Sequence, residues 1–245
     1  MTSETEEGKI ELILGPMFSG KSTRLIEVIR KYVYKAKKTI MIKFYADKRY
    51  SSEKSEVVTH DLIKYDSIDC KNLRDSFDVI KNYDVIGIDE GQFFPDLVEV
   101  CEELALLKKT IIIAALNGDF RMEPFPVITR IISKADKIKL LKAYCFHCHK
   151  DAKFSLRIVQ SNETVLIGAG EAYKPACRDC HIFFSKQREK GNLNINTLEN
   201  SENKEDKENK ENNDNMTPLK TKLDKEFNSS STETSPSPNK EIVCK

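Results

Sequence analysis

The sequence predicts an α/β fold, a P-loop parallel sheet flanked by helices, with a small metal-binding domain behind it. Three observations lead there. Gly15-Pro16-Met17-Phe18-Ser19-Gly20-Lys21-Ser22 is a full G-x-x-x-x-G-K-[ST] loop between an apolar run and an amphipathic one. Further apolar runs of strand length then alternate with runs of helical spacing, the pattern of βαβ units. Two C-x₂-C pairs, Cys145/Cys148 and Cys177/Cys180, follow the last of them.

Ile10-Glu11-Leu12-Ile13-Leu14 reads as a short buried strand, and Thr23 to Arg30 has apolar residues on one helical face. Thr39 to Phe44, rich in β-branched and aromatic residues, is a second strand. A polar stretch, Tyr45 to Glu56, precedes a helical pattern over Leu73–Tyr83 and a third strand over Asp84–Glu90. Pro95 is expected in the first turn of a helix running to Leu107. Thr110 to Leu116 is an almost wholly apolar fourth strand, as expected where both faces of a sheet are covered. Pro124 and Pro126 punctuate a loop before a helix near Val127–Ser133, and Lys137 to Tyr144 is a fifth strand.

The glycine loop points to a nucleoside triphosphate. Its glycines let successive N–H groups face one anion, and the following helix adds partial positive charge. Lys21 is placed to reach the β- and γ-phosphates and Ser22 to ligate Mg²⁺. The third strand ends in Asp89-Glu90, the Walker B arrangement, with Asp89 placed to hold Mg²⁺ and Glu90 to act as a general base. A lone Asp-Glu pair is more often a solvated loop; after a buried strand, in a chain with a phosphate loop, the functional reading prevails. The cysteine pairs form two knuckles able to supply four tetrahedral thiolates, a closed structural Zn²⁺ site. His147, His149 and His181 lie nearby but are not needed as ligands. Cys70, Cys101 and Cys244 read as ordinary thiols.

Composition bounds the rest. The 245 residues suit one large domain with an appendage. A net charge of +1 argues against a strongly basic nucleic-acid binder. No apolar run approaches the roughly 18 residues of a membrane span. The acidic N-terminus is unlike a secretory or transit signal, so a cytoplasmic protein with reduced cysteines is expected. From residue 191 the text is nearly all Asn, Lys, Glu, Ser and Thr, and cannot bury enough surface to offset its ordering entropy. The expected division is a disordered N-terminus over 1–8, the P-loop domain over 9–144, a cysteine domain over 145–190 and a disordered tail over 191–245.

Taken together these residues resemble one family, the cytosolic, zinc-containing (type II) thymidine kinases. The resemblance runs from about Lys9 to Lys186 and rests on Leu14–Thr23, Asp47-Lys48-Arg49-Tyr50-Ser51, Ile88-Asp-Glu-Gly-Gln-Phe-Phe-Pro95, Ile167-Gly168 with Tyr173, and the two cysteine pairs. It implies a RecA-like P-loop fold with a zinc-binding lasso domain. It implies ATP-dependent phosphorylation of the 5′-hydroxyl of thymidine, and of deoxyuridine, in the salvage route to DNA precursors. Glu90 matches the family's catalytic base. Asp89, Gly91 and Gln92 share its motif and face the phosphate donor, and Asp47, Lys48 and Arg49 match a segment that contacts the triphosphate. Phe120 matches the aromatic that packs against the thymine ring. Thr164, Val165, Leu166, Ile167, Gly168 and Tyr173 match the lasso that covers the base, tied at both ends by the zinc knuckles. Met17, Phe93 and Leu116 are pocket candidates, with ordinary core equally expected. The resemblance further implies a homotetramer and feedback inhibition by thymidine triphosphate.

The sequence departs from the family's usual pattern at Ala169-Gly170-Glu171-Ala172, at Ser155 where Thr is frequent, and at Asn117-Gly118-Asp119. The competing class is a P-loop ATPase with a zinc ribbon acting on nucleic acid; it leaves Glu90-Gly-Gln-Phe-Phe-Pro95 unexplained. A module that only senses nucleotide gives no reason for Glu90. In the tail, Lys207-Glu-Asn209 and Lys210-Glu-Asn212 resemble a KEN degradation signal, but in a segment built of these residues chance explains them better. Thr217-Pro218, Ser235-Pro236 and Ser237-Pro238 are proline-directed phosphosite candidates with a low prior.

Overall fold

The computed structural model describes residues 7–46, 64–159 and 172–191, together with the short strand 56–58; for 56–58 and 64–66 it describes the backbone. Asp47, Lys48, Arg49, the lasso residues Thr164 to Gly168 and the tail from residue 192 lie outside the described residues.

The chain begins with β1 (Lys9–Gly15), α1 (Lys21–Tyr34) and β2 (Thr39–Phe44). Two short strands, β3 (Glu56–Val58) and β4 (Lys64–Asp66), pair antiparallel ahead of β5 (Ile68–Cys70). A 3₁₀ turn (Leu73–Ser76) and one helical turn, α2 (Phe77–Ile80), lead to β6 (Val85–Ile88). Then come a 3₁₀ turn (Gly91–Phe93), α3 (Leu97–Leu106), β7 (Thr110–Leu116), α4 (Pro126–Ile132) and β8 (Lys137–Leu140). The remainder is β9 (Ala143–Tyr144), β10 (Asp151–Ala152), β11 (Phe154–Arg157), β12 (Tyr173–Ala176) and α5 (Arg178–Glu189).

Six strands form one parallel sheet in the order β5-β2-β6-β7-β1-β8, as the continuous apolar runs predict. Period-two alternation sorts their side chains onto two covered faces. Ile13, Met41, Val85, Ile112 and Ala114 pack with Leu25, Ile26 and Ile29 of α1. Their neighbours Leu12, Ile42, Ile86, Ile111 and Ile113 pack with Leu97, Val98 and Cys101 of α3 and Ile128 and Ile131 of α4. A separate apolar cluster surrounds the cysteines: Ala143, Ala152, Leu156, Ile158, Ala176 and Phe184.

Three local readings change. The helical pattern over Leu73–Tyr83 becomes a 3₁₀ turn and a single α-turn. The Asp96 carboxylate accepts the N–H groups of Leu73 and Arg74, and the Asn82 side-chain amide donates to the carbonyls of Asp78 and Val79, so side chains close both ends early. Pro95 lies outside α3, which starts at Leu97 behind Asp96. The strand over Lys137–Tyr144 is two strands. β8 follows β1 until Leu141 N–H donates to Leu14 O at 2.7 Å; β1 then ends in the phosphate loop, and Ala143–Tyr144 pair instead with β10.

Leu25, fully buried, ties α1 and the phosphate loop to the sheet. Leu25→Ala is expected to lower stability by about 2–5 kcal/mol, measured by urea unfolding; a loss below about 1 kcal/mol would mean the helix is not anchored there.

Candidate functional site

Because β6, β7 and β1 are adjacent and parallel, the segments leaving their C-terminal ends gather at one edge of the sheet. From β1 comes the phosphate loop. Gly20 has φ +78° and Phe18 φ +63°, the left-handed conformations that curl the loop into α1. Gly15 is forced: a Cβ there would sit 2.6 Å from Ser19 Oγ and 3.0 Å from Leu141 O. The Ser19 hydroxyl and the Lys21 ammonium both donate to Pro16 O at 2.8 Å. Lys21 is buried within its own loop.

From β6 come Asp89 and Glu90, both buried. Ser22 Oγ donates to both Asp89 oxygens, at 2.9 and 3.1 Å, so the two residues expected to share a cation are in contact. Glu90 carries a left-handed backbone (φ +54°), rare for a residue with a side chain. Gln92 Nε2 donates to Glu90 Oε2 at 2.5 Å, while Gln92 Oε1 accepts from Leu116 N at 3.0 Å. That bridge ties the turn after β6 to the end of β7. Gly91 admits no side chain, since a Cβ would lie 2.5 Å from Ile113 Cγ2.

From β7 comes the turn carrying Phe120. Asp119, a departure from the family pattern, braces it by accepting the N–H groups of Arg121 and Glu123 at 2.8 and 2.9 Å. Phe120 is buried with Ala172 and Tyr173, and Met17 and Val159 pack against them. Met17 therefore joins this cluster, whereas Phe93 stacks on Phe44 at 5.3 Å. Leu116 meets the site through its backbone N–H. The loop and the cluster are joined directly: Met17 N–H donates to Ser155 Oγ at 3.0 Å.

The four cysteine sulfurs lie within 4.8 Å of one another. A tetrahedron with Zn–S near 2.3 Å has edges of about 3.8 Å, so the donor set fits Zn²⁺. Cys145 and Cys148 sit in the β9–β10 turn, held by Cys145 N–H to Lys150 O (2.8 Å) and His149 N–H to Cys145 O (3.0 Å). Cys177 caps α5 and Cys180 lies in its first turn. Burial raises the Cys145 thiol, but N–H groups of Cys148, Cys177 and His147 outweigh it and bring it to about 7. Burial and the neighbouring thiols push Cys180 upward. One ionised thiol thus opposes the next, and a cation is what permits four thiolates together. His181 is not among this cluster of ligands: its Nε2 lies 3.0 Å from Phe120 O. Burial holds the imidazole below its ordinary range, and Nε2–H donates to the carbonyl, which can only accept.

Sequence reasoning did not single out Arg157, which is fully buried against Phe120 and Tyr173. Its only signal, a cation in a short strand before the lasso, has no meaning until β11 and β12 are paired.

Residues 8–181 match the family model described as thymidine kinase. A thymidine kinase 1 of Dictyostelium discoideum is 46% identical over 187 residues, covering 76% of this chain and 81% of that relative. The chain belongs to the thymidine kinase family. The thymidine kinase of Vaccinia virus (strain Western Reserve) is 42% identical and that of Sheeppox virus (strain KS-1) 45% identical, each over 175 residues, 71% of this chain and 97% of the relative. The family match spans the phosphate loop, Asp89-Glu90, Phe120, Tyr173 and all four cysteines.

Cys177→Ser removes one of the four sulfurs that could hold a metal. Metal analysis of the purified variant is expected to show zinc reduced from about one equivalent to a small fraction; full retention would contradict a four-thiolate site.

Proposed function

We propose that the chain transfers the γ-phosphoryl group of ATP to the 5′-hydroxyl of thymidine, and of deoxyuridine, forming the 5′-monophosphate for salvage into DNA precursors. The observation that carries this reading is the meeting, at one sheet edge of a thymidine kinase family member, of the phosphate loop, Asp89-Glu90 and the Phe120–Tyr173 cluster.

Gly15 to Ser22 bind the triphosphate through backbone N–H groups and the Lys21 ammonium. Ser22 and Asp89, already in contact, would hold Mg²⁺, which when bound neutralises charge on the phosphates. Glu90 accepts the 5′-hydroxyl proton as the oxygen attacks; the Gln92 amide orients its carboxylate. Arg49, with Asp47 and Lys48, is assigned to the donor phosphates by resemblance. Phe120, Tyr173 and residues 164–168 take the nucleoside. Placement of the two reactants in line supplies most of the rate.

The same reading divides the chain into a kinase domain over 9–144 and a zinc domain over 145–190, supported by the separate apolar cluster around the cysteines. A four-thiolate site suits a reducing cytoplasm. Among the described residues no helix is long and apolar enough to cross a membrane. A homotetramer is proposed from the family resemblance, and exposed Ile138 and Leu140 on the edge strand β8 are compatible with self-association. Feedback inhibition by thymidine triphosphate follows from the same resemblance.

Incubation with ATP and thymidine is expected to yield thymidine monophosphate, read by chromatography. Hydrolysis of ATP stimulated by DNA, with no nucleoside phosphorylated, would favour a nucleic-acid ATPase instead. Glu90→Gln is expected to lower kcat by about 10²–10⁴ while leaving ATP affinity nearly unchanged. Turnover close to that of the parent would remove Glu90 from the role of base.

A further inference from the structure

Arg157 is fully buried, an expensive position for a guanidinium. The strand explains how it got there. Along β11, Leu156 faces the cysteine cluster, while Ser155 and Arg157 point the other way, Ser155 to the phosphate loop. Arg157 pairs in register with Tyr173 of β12 and donates to its hydroxyl. The guanidinium lies over the Phe120 ring at 3.9 Å from its centroid and over the Tyr173 ring at 5.1 Å. One planar cation therefore holds both aromatic residues that the proposed function gives to the nucleoside.

Other groups leave Phe120 little freedom. Its carbonyl is tied to His181, one residue beyond Cys180, and the Arg188 guanidinium, two turns further along α5, sits 4.8 Å from its ring. Burial and the nearby Arg157 charge hold Arg188 below its ordinary range, as expected where three guanidiniums, those of Arg157, Arg188 and Arg121, crowd one aromatic. The site gathers cations where an apolar side chain could have filled the space at less desolvation cost. A rigid, directional clamp is what the guanidinium adds: a planar stack on one ring and a charged hydrogen bond to the hydroxyl of the other.

We propose that Arg157 is a positioning residue for nucleoside recognition, fixing the Phe120 and Tyr173 rings in the geometry that receives the base. The inference rests on the proposed thymidine kinase activity. It assigns Arg157 to acceptor binding and gives it no part in handling the phosphate donor.

The test uses the full-length, zinc-loaded protein, with thymidine and ATP varied separately. Arg157→Met keeps much of the packing and removes the charge and the hydrogen bond. It is expected to raise the thymidine KM by about ten-fold or more, with the ATP KM within about two-fold and zinc retained. Arg157→Lys keeps the charge without the planar fork and is expected to fall between Met and the parent. Tyr173→Phe removes only the accepting hydroxyl, and combined with Arg157→Met it should add less than in the parent background. An unchanged thymidine KM in Arg157→Met overturns the proposal, as does an equal rise in both KM values with loss of zinc, which marks a structural role. Should Arg157→Met fail to fold, an unchanged thymidine KM in both Arg157→Lys and Tyr173→Phe overturns it. A parent protein that phosphorylates no thymidine contradicts the proposed activity; a working parent with indifferent variants contradicts this inference alone.

Discussion

Parallel pairing of β6, β7 and β1 is the constraint on which the remaining geometry depends. Ile88 pairs with Ile113, and Leu14 and Gly15 pair with Ala115 and Leu116, so the three strands deliver their following segments to the same edge. Parallel strands need crossover helices, and those helices cover both faces, which demands the apolar strands observed. Once the strands are aligned, short contacts follow: Ser22 reaches Asp89, and Gln92 bridges Glu90 and Leu116. Gly91 has no room for a side chain because Ile113 of the neighbouring strand already fills that space.

The second half of the site is built by different means. β9 to β12 are two to four residues long, too short to be stable by pairing alone. Four cysteines and a small apolar cluster hold them together. The two halves meet at several points with clear roles. Ser155 accepts a phosphate-loop N–H, and His181 holds the carbonyl of Phe120. The cysteine-anchored α5 thus bears on the aromatic cluster directly.

Much of this was legible in the sequence where one short segment carries its own physical logic. The phosphate loop specifies its backbone by glycine spacing, the strands 39–44 and 110–116 by apolar runs, and the cysteine pairs by ligand number. Asp89 and Glu90 were readable because an acid at the end of a buried strand has few other uses. What the sequence concealed depends on contacts between distant segments. Asp96 and Asn82 shorten the helix expected after Leu73, and β8 stops where β1 runs out. Arg157 gains its meaning only from its register with Tyr173, and His181, noted as a spare ligand, turns instead to a backbone carbonyl 61 residues away. Asp119, which looked like a mere departure from the family pattern, braces the turn of Phe120.

The central claim is that the sheet edge serves the phosphate donor and the cysteine-anchored unit serves the nucleoside. Calorimetric binding of a non-hydrolysable ATP analogue and of thymidine, each to the protein before and after zinc removal by a chelator, tests it most directly. The account predicts that thymidine binding falls by about ten-fold or more on zinc removal while nucleotide binding stays within about two-fold, because the sheet has its own core. Thymidine binding that survives zinc removal, or both affinities collapsing together, would contradict it.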